Sequence, residues 1–286
     1  MSKKTAKNLF KDKTNVYVSE CLSTNDFLTQ LAKKNDLFEG SSVITDYQTH
    51  GRGQRKNKWE SKKGENLLFS ILMKPDIPLN DQFKLHMITS LSIRETLTNL
   101  GLKNVKIKWP NDIYVNDKKI SGILIESQIF RKKIKQTIIG VGLNVNQKKF
   151  SDIKATSISN QIGKEFNLNM LFNLLKTSIE NGFQSIQQNI DTLVAMYQIN
   201  LYKLNSIQDF THNNKLFEGK VVGVSNGGSI IIEVNGKKQN SSCFSCSMLL
   251  NQVSGFKGVS QRKRCGPIWT RPCAPGPTPI KLPEFQ

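Results

Sequence analysis

Residues 108–126 read KWPNDIYVNDKKISGILIE. Trp109-Pro110 cannot continue a helix, because proline disfavours the helical region for the residue before it. Two short apolar runs follow, separated by the polar turn Asn116-Asp117-Lys118-Lys119. The stretch reads strand, turn, strand, turn, strand, with Lys108 closing the first strand. A lysine held beside a tryptophan and a proline is poorly placed as an ordinary solvated charge. Taken alone, a KWP tripeptide reads equally as an exposed lysine beside a structural turn.

Towards the N-terminus, Asn15–Glu20 (NVYVSE) alternates apolar and polar residues and predicts a first strand. Ser23-Thr24-Asn25 then precedes Phe27, Leu28, Leu31 and Ala32, an apolar-periodic segment, so capping chemistry predicts a helix start. A helix N-terminus with hydroxyls and amides also suits a polar or anionic ligand. Gly40–Asp46 reads as a second strand. It leads into Tyr47–Trp59, with two glycines, four cations and no apolar periodicity, which predicts a loop able to cover a site. Neither a Walker loop nor a GxGxxG fingerprint is present. Asn66–Lys74 is a continuous apolar run suited to a strand buried on both faces. Residues 81–100 predict a helix stopped by Gly101.

Towards the C-terminus, Gln136–Asn146 (QTIIGVGLNVN) predicts a strand in which Gly140 and Gly142 permit close approach. Residues 170–202 are helical by periodicity, and Val194, Met196 and Tyr197 suggest a further helical piece. Leu216–Val234 holds short strands with Asn-Gly turns, the mark of a small antiparallel β-domain. Ser241-Ser242-Cys243 stands where a further strand is expected, and the proline-rich run 271–283 is unsuited to a packed element, predicting a disordered extension. The expected division is 1–210, 211–250 and a tail of 251–286.

No apolar run approaches the roughly 20 residues that cross a bilayer, and the N-terminus lacks the apolar core of a signal peptide, so the expectation is a cytoplasmic protein without membrane association. The net charge of +19 suits nucleic acid or a strongly acidic partner, but the lysines are scattered and the aromatics are not interleaved with them on one stripe. Cys243, Cys246, Cys265 and Cys273 do not form two CxxC pairs, which argues against a zinc site.

Taken together, Ser23-Thr24-Asn25, Tyr47-Gln48 with the Gly51-Arg52-Gly53 loop ending at Trp59, Lys108–Asp112, Gly122–Glu126 and Gly140–Asn144 resemble the biotin–protein ligase family, over roughly residues 15–240. The resemblance implies an α+β fold: a class II synthetase-like and lipoate-ligase-like catalytic domain of mixed β-sheet with packed helices, and a small SH3-like β-barrel. Residues 241 onward would leave that barrel incomplete. It implies ATP-dependent attachment of biotin to a lysine of a biotin carboxyl carrier domain through biotinyl-5′-AMP, with Mg²⁺ held through the phosphates and no fixed protein cage. Lys108 and Arg52 would be catalytic, Lys108 bridging carboxylate and α-phosphate. Ser23, Thr24, Asn25, Gln48, Gly51, Gly53, Gln54, Trp59, Gly122 and Gly140 would bind biotin or adenylate. Asn111, Asp112, Lys119 and Asn144 would face ATP and its metal. Gln54 stands where many members carry a second arginine, and Lys56 replaces a loop glycine. About fifteen residues before the first strand are too few for a DNA-binding helix-turn-helix domain, so the expected enzyme binds no operator; a homodimer is left open. The competing readings are a lipoate–protein ligase or octanoyltransferase of the same fold and, from another class, a basic nucleic-acid module.

Overall fold

The computed structural model describes residues 13–54, 57–184, 186, 190–212, 215–241 and 247–249. The expected tail and Cys243, Cys246, Cys265 and Cys273 lie outside them, as does Lys56 of the loop. In chain order the first sheet comprises β1 (Asn15–Cys21), β2 (Ser42–Gln48), β3 (Asn66–Met73), β4 (Ile77–Pro78), β5 (Val105–Lys108), β6 (Asp112–Val115), β7 (Lys118–Phe130) and β8 (Lys133–Asn144). Its order is β1-β2-β3-β8-β7-β6-β5, with β4 added against β8; β1 and β2 run parallel and the other pairs antiparallel. The helices are α1 (Thr24–Lys34), α2 (Gln82–Asn99), α3 (Ile158–Ile162), α4 (Leu168–Gln184) and α5 (Ile190–Ile199).

The central position of β3 explains its unbroken apolar sequence. All eight residues are buried, because both faces of the sheet are covered there. Phe69 meets Phe172 of α4 edge-on at 5.3 Å on one face, where α2, α4 and α5 close the main core. On the other, Leu72 packs with Leu28 of α1, Val43 and Ile138. Of the described helices, α1 packs on this second face, leaving the sheet beside it free of helix.

Several boundaries differ from expectation for local reasons. The β6–β7 turn is Asn116-Asp117 alone, both left-handed (φ 46° and 64°), as a two-residue hairpin of this kind requires. Lys118 and Lys119 therefore belong to β7. A second left-handed pair, Arg131-Lys132, closes a long β7–β8 hairpin. Gly101 takes φ +96° after α2, as expected of a helix stop. The helical span expected over 170–202, with a further piece at Val194–Tyr197, is two helices, α4 and α5, and α3 was not foreseen; it is capped by Ser157, whose Oγ accepts from the Asn160 amide at 3.2 Å.

A second antiparallel sheet begins at Ile207, slightly ahead of residue 211. It consists of β9 (Ile207–His212), β10 (Lys215–Val224), β11 (Ile230–Val234), β12 (Lys237–Ser241) and β13 (Ser247–Leu249), in the order β12-β11-β10-β9-β13. The expectation that nothing beyond 241 supplies a strand is corrected by β13. Three residues suffice to pair with Asp209–Thr211 of β9. Phe210, Val221, Val224, Ile230 and Ile232 join the core of the first sheet. The β10–β11 turn reaches furthest: the Gly228 carbonyl accepts from Trp109 Nε1 at 3.0 Å. Gly228 has φ +86°, and a Cβ there would lie 2.6 Å from Phe83 Cβ. Among the described residues no helix is long and apolar enough to cross a membrane.

Gly228→Ala combines left-handed strain with overlap on Phe83 and should cost about 2–3 kcal/mol, measured by urea unfolding. His86 stacks on Phe83 at 5.8 Å. The residue is half-buried, but its Nδ1 is sealed and unpartnered. Burial pushes its pKa down to about 4. The unfolded chain thus takes up a proton below pH 6.5 that the folded chain refuses. Stability should fall by about 2–3 kcal/mol between pH 7 and pH 4, and His86→Gln should flatten that slope in thermal melts at the two pH values.

Candidate active site

A cavity of about 280 Å³ opens between the start of α1, the loop after β2 and the uncovered face of the first sheet. Strand register determines what faces it. Thr45, Leu68, Gly142, Gly122, Asp112 and Lys108 form one cross-strand row through six strands. Alternation puts the side chains of such a row on one face. Three segments far apart in sequence, ending in Lys108, Gly122 and Gly142, thereby reach one site.

One end of the cavity is neutral and hydrogen-bonded. Ser23, Thr24 and Asn25 are buried and line it. Ser23 is the residue preceding α1, but its hydroxyl makes no capping bond. The Thr24 amide and hydroxyl instead donate to Gln48 Oε1 at 2.7 and 3.1 Å. Asn25 donates to Glu126 Oε2 at 2.7 Å and accepts from Ser70 Oγ at 2.6 Å. Ser70 lies buried in the apolar run of β3 and also donates to Thr24. A cluster so fully cross-bonded is rigid.

The other end carries the cations. Lys108 pairs across strands with Asp112. Between β6 and β7 the register slips: Ser121 opposes Ile113, Lys119 opposes Tyr114, and Ile120 is the extra residue. Such a bulge re-aims the side chains beside it. Ile120 joins the core, while Lys119 turns to the cavity and meets Asp112 at 2.7 Å. Lys108 donates to Tyr114 Oη at 3.1 Å. Its pKa is lowered, chiefly by burial; Asp112 opposes that shift, and Lys119 and Lys154 add to it. Two ammonium groups against one carboxylate leave net positive charge facing the cavity. Asn111 lines this end and braces the turn, donating to the Ile123 carbonyl at 2.9 Å.

The loop between β2 and β3 folds back on itself. Arg52 bridges to Lys58, the Gly53 amide donates to the Asn57 carbonyl at 2.7 Å, and the Trp59 amide to the Gly51 carbonyl at 2.9 Å. Trp59 lies flat over the glycines of the register row: a Cβ at Gly142 would come within 2.8 Å of its indole and one at Gly122 within 3.0 Å. Gly140 makes the same room for Asn25, whose Cγ would lie 3.0 Å from an added Cβ. Gly122 and Gly140 thus line the cavity and also make room for side chains of the site itself. Arg52 also differs from expectation. Its guanidinium donates to Asp26 at 2.6 Å and Glu126 at 3.0 Å, so in this structure it ties the loop to α1 and β7 and is not a free cation. Gln54 and Gly53 line the cavity beside it.

Two expected residues do not line the cavity. Gly51 lies beneath the loop, 3.2 Å from Gln48 Nε2 as judged from an added Cβ. Asn144, on β8 one row beyond Gly142, is buried and donates to the Thr156 carbonyl at 3.0 Å, with its Oδ1 sealed and unpartnered. Residues 154–156 pair with the backbone of Lys119. Ser70, Tyr114, Glu126 and Gly142 take part although they were not assigned to the site. The signal for Ser70 was a lone hydroxyl in an apolar strand; Glu126 closes a quoted motif, and Tyr114 lies two residues beyond Asp112.

The biotin/lipoate A/B protein ligase family matches residues 18–144. The bifunctional ligase/repressor BirA of Bacillus subtilis is 28% identical over 227 residues, 77% of this chain and 69% of that protein. Biotin–protein ligase 1 of Arabidopsis thaliana, a chloroplast protein, is 38% identical over 130 residues, 43% of this chain and 34% of that one. Among solved structures, the biotin protein ligase of Aquifex aeolicus in complex with biotin and ATP shares the fold, with a TM-score of 0.70, 24% identity and coverage of 85% of this chain and 100% of that one. The matched residues 18–144 contain every residue that lines the cavity, and over them the chain is similar to the biotin/lipoate A/B protein ligase family.

Proposed function

We propose that the chain is an ATP-dependent biotin–protein ligase. It would join biotin to AMP with release of pyrophosphate, then transfer the biotinyl group to a lysine of a biotin carboxyl carrier domain of a carboxylase and release AMP. The observation that carries this reading is the polarity of one cavity: a neutral, rigid hydrogen-bonding end at Ser23, Thr24, Asn25 and Gln48, and a cationic end at Lys108 and Lys119. The relatives named biotin–protein ligase support biotin as the substrate.

The first step brings a carboxylate against a phosphate, so like charges must be offset where they meet. Lys108 is assigned to the carboxylate and α-phosphate, as a compact point charge on a flexible stem. Lys119, turned inward by the bulge, is assigned to the nucleotide side, with Asn111 and Asp112 shaping that end. Magnesium would offset phosphate charge. Asp112 is the carboxylate nearest this end, and Lys119 engages it, which fits an ion carried by the phosphates. Trp59 would wall the biotin end, and Gly53 and Gln54 would close over the adenylate. Arg52, held by Asp26 and Glu126, is assigned as the latch of the loop; closure matters because water hydrolyses an acyl-adenylate. Asn144 is kept as a support beneath the triphosphate side, acting through Thr156. We assign catalysis to residues 1–210, with the β-domain of 211–250 bracing Trp109. The net charge of +19 suits an acidic acceptor face.

Biotin-dependent ATP–pyrophosphate exchange, run beside lipoate, tests the assignment; exchange driven by lipoate alone would overturn it. Lys108→Ala should lower the exchange rate about 100- to 1000-fold, the usual loss for one electrostatic donor. Arg52→Ala should leave biotin in place but release the latch. ATP consumed per acceptor biotinylated should then rise several-fold, as the adenylate escapes or is hydrolysed, which mass analysis of free biotinyl-AMP and AMP would register.

A further inference from the structure

Lys108 sits on a four-carbon stem, yet electrostatic stabilisation demands that its charge be held within a fraction of an ångström. The groups facing it are Asp112 from β6, Lys119 from β7, and Asp152 and Lys154 from the segment whose backbone pairs with Lys119. Each is charged, and Asp112 is already engaged by Lys119. The remaining neighbour is Tyr114, on β6 two residues past Asp112 and therefore on the same face, diagonal to Lys108. Its hydroxyl accepts from Lys108 Nζ at 3.1 Å, and the same ammonium lies 4.8 Å from its ring centroid.

We infer that Tyr114 is a positioning residue for Lys108: it seats the ammonium without neutralising it. This rests on the assignment of Lys108 proposed above. A carboxylate in the same place would hold the lysine and cancel its charge. A neutral phenol takes one of three N–H groups and leaves the charge and two donors for the carboxylate and phosphate. Burial pushes the Tyr114 pKa well up, so the phenol stays neutral. The seat is itself fixed. Tyr114 is 5% exposed, its ring lies 4.9 Å from that of Tyr202, and Tyr202 donates to Asp117 at 2.8 Å. Lys203 pairs with the same carboxylate at 3.2 Å.

The test is Tyr114→Phe in the full chain, assayed by biotin-dependent pyrophosphate exchange from pH 6 to 10. The substitution keeps the ring against Tyr202 and removes only the acceptor. Loss of a hydrogen bond to a charged group should lower kcat about tenfold, with KM for biotin and ATP within about twofold. The alkaline limb of kcat should move to lower pH, because an ammonium without its acceptor gives up its proton more easily. 3-Fluorotyrosine in place of Tyr114, a weaker acceptor of nearly the same shape, should give smaller changes of the same sign. An unchanged kcat, or a fall in kcat with the limb unmoved in both variants, overturns the inference. Lys108→Ala run in parallel separates the two levels: if it retains the wild-type rate, the assignment of Lys108 fails. If it loses activity while both Tyr114 variants are silent, only the positioning role fails.

Discussion

A lysine ammonium withdrawn from water must be offset or it sheds its proton, and the cationic end of this cavity is arranged around that constraint. Lys108 is partly buried so that its charge acts across a medium less polar than water, which strengthens it towards an anion and disfavours the ammonium itself. Asp112 supplies the opposing charge from the next strand. It is shared with Lys119, so the pair of cations is stabilised and not cancelled. Tyr114 adds a neutral partner. Lys108 and Asp112 follow from antiparallel register alone. Lys119 requires one residue more, Ile120, whose insertion turns a lysine that would otherwise face the core with Ser121 and Ile123 to the same face as Lys108.

The opposite end solves a different problem. There the side chains of Thr24, Asn25, Gln48 and Ser70 satisfy one another before any ligand arrives, so little conformational entropy remains to be lost on binding. The glycines at 122, 140 and 142 are part of the same arrangement. They let Trp59 and Asn25 lie directly on the sheet, and the cavity is shaped by those two side chains as much as by the backbone beneath them.

The main sheet was legible in the sequence because its strands carry either period-two alternation, as in β1, or unbroken apolar character, as in β3. Lys108, Gln48 and Ser23–Asn25 were legible because each sits beside a turn or cap that gives its neighbours few alternatives. Other features depend on distance in sequence. Nothing local to Arg52 announces Asp26 and Glu126 as its partners, and nothing local to Asn144 announces the Thr156 carbonyl as its own. The bulge at Ile120 is invisible in a run that reads equally well as a regular strand. Strand β13 escaped notice because Ser-Met-Leu carries too little pattern to stand out. The resemblance drawn from five short motifs supplied what periodicity lacked, but it did not reach partners such as the Asp26 and Glu126 carboxylates that hold the Arg52 guanidinium.

The hydrogen bond from Trp109 to Gly228 joins the motif that holds Lys108 to a turn of the second sheet more than a hundred residues away. By linkage, any ligand that steadies Trp109 steadies that turn by the same free energy, and any partner that grips the second sheet alters affinity in the cavity to an equal degree. The second sheet is thus thermodynamically coupled to the cavity although none of its described residues lines it, and heat or denaturant should dissolve both together when a ligand is bound.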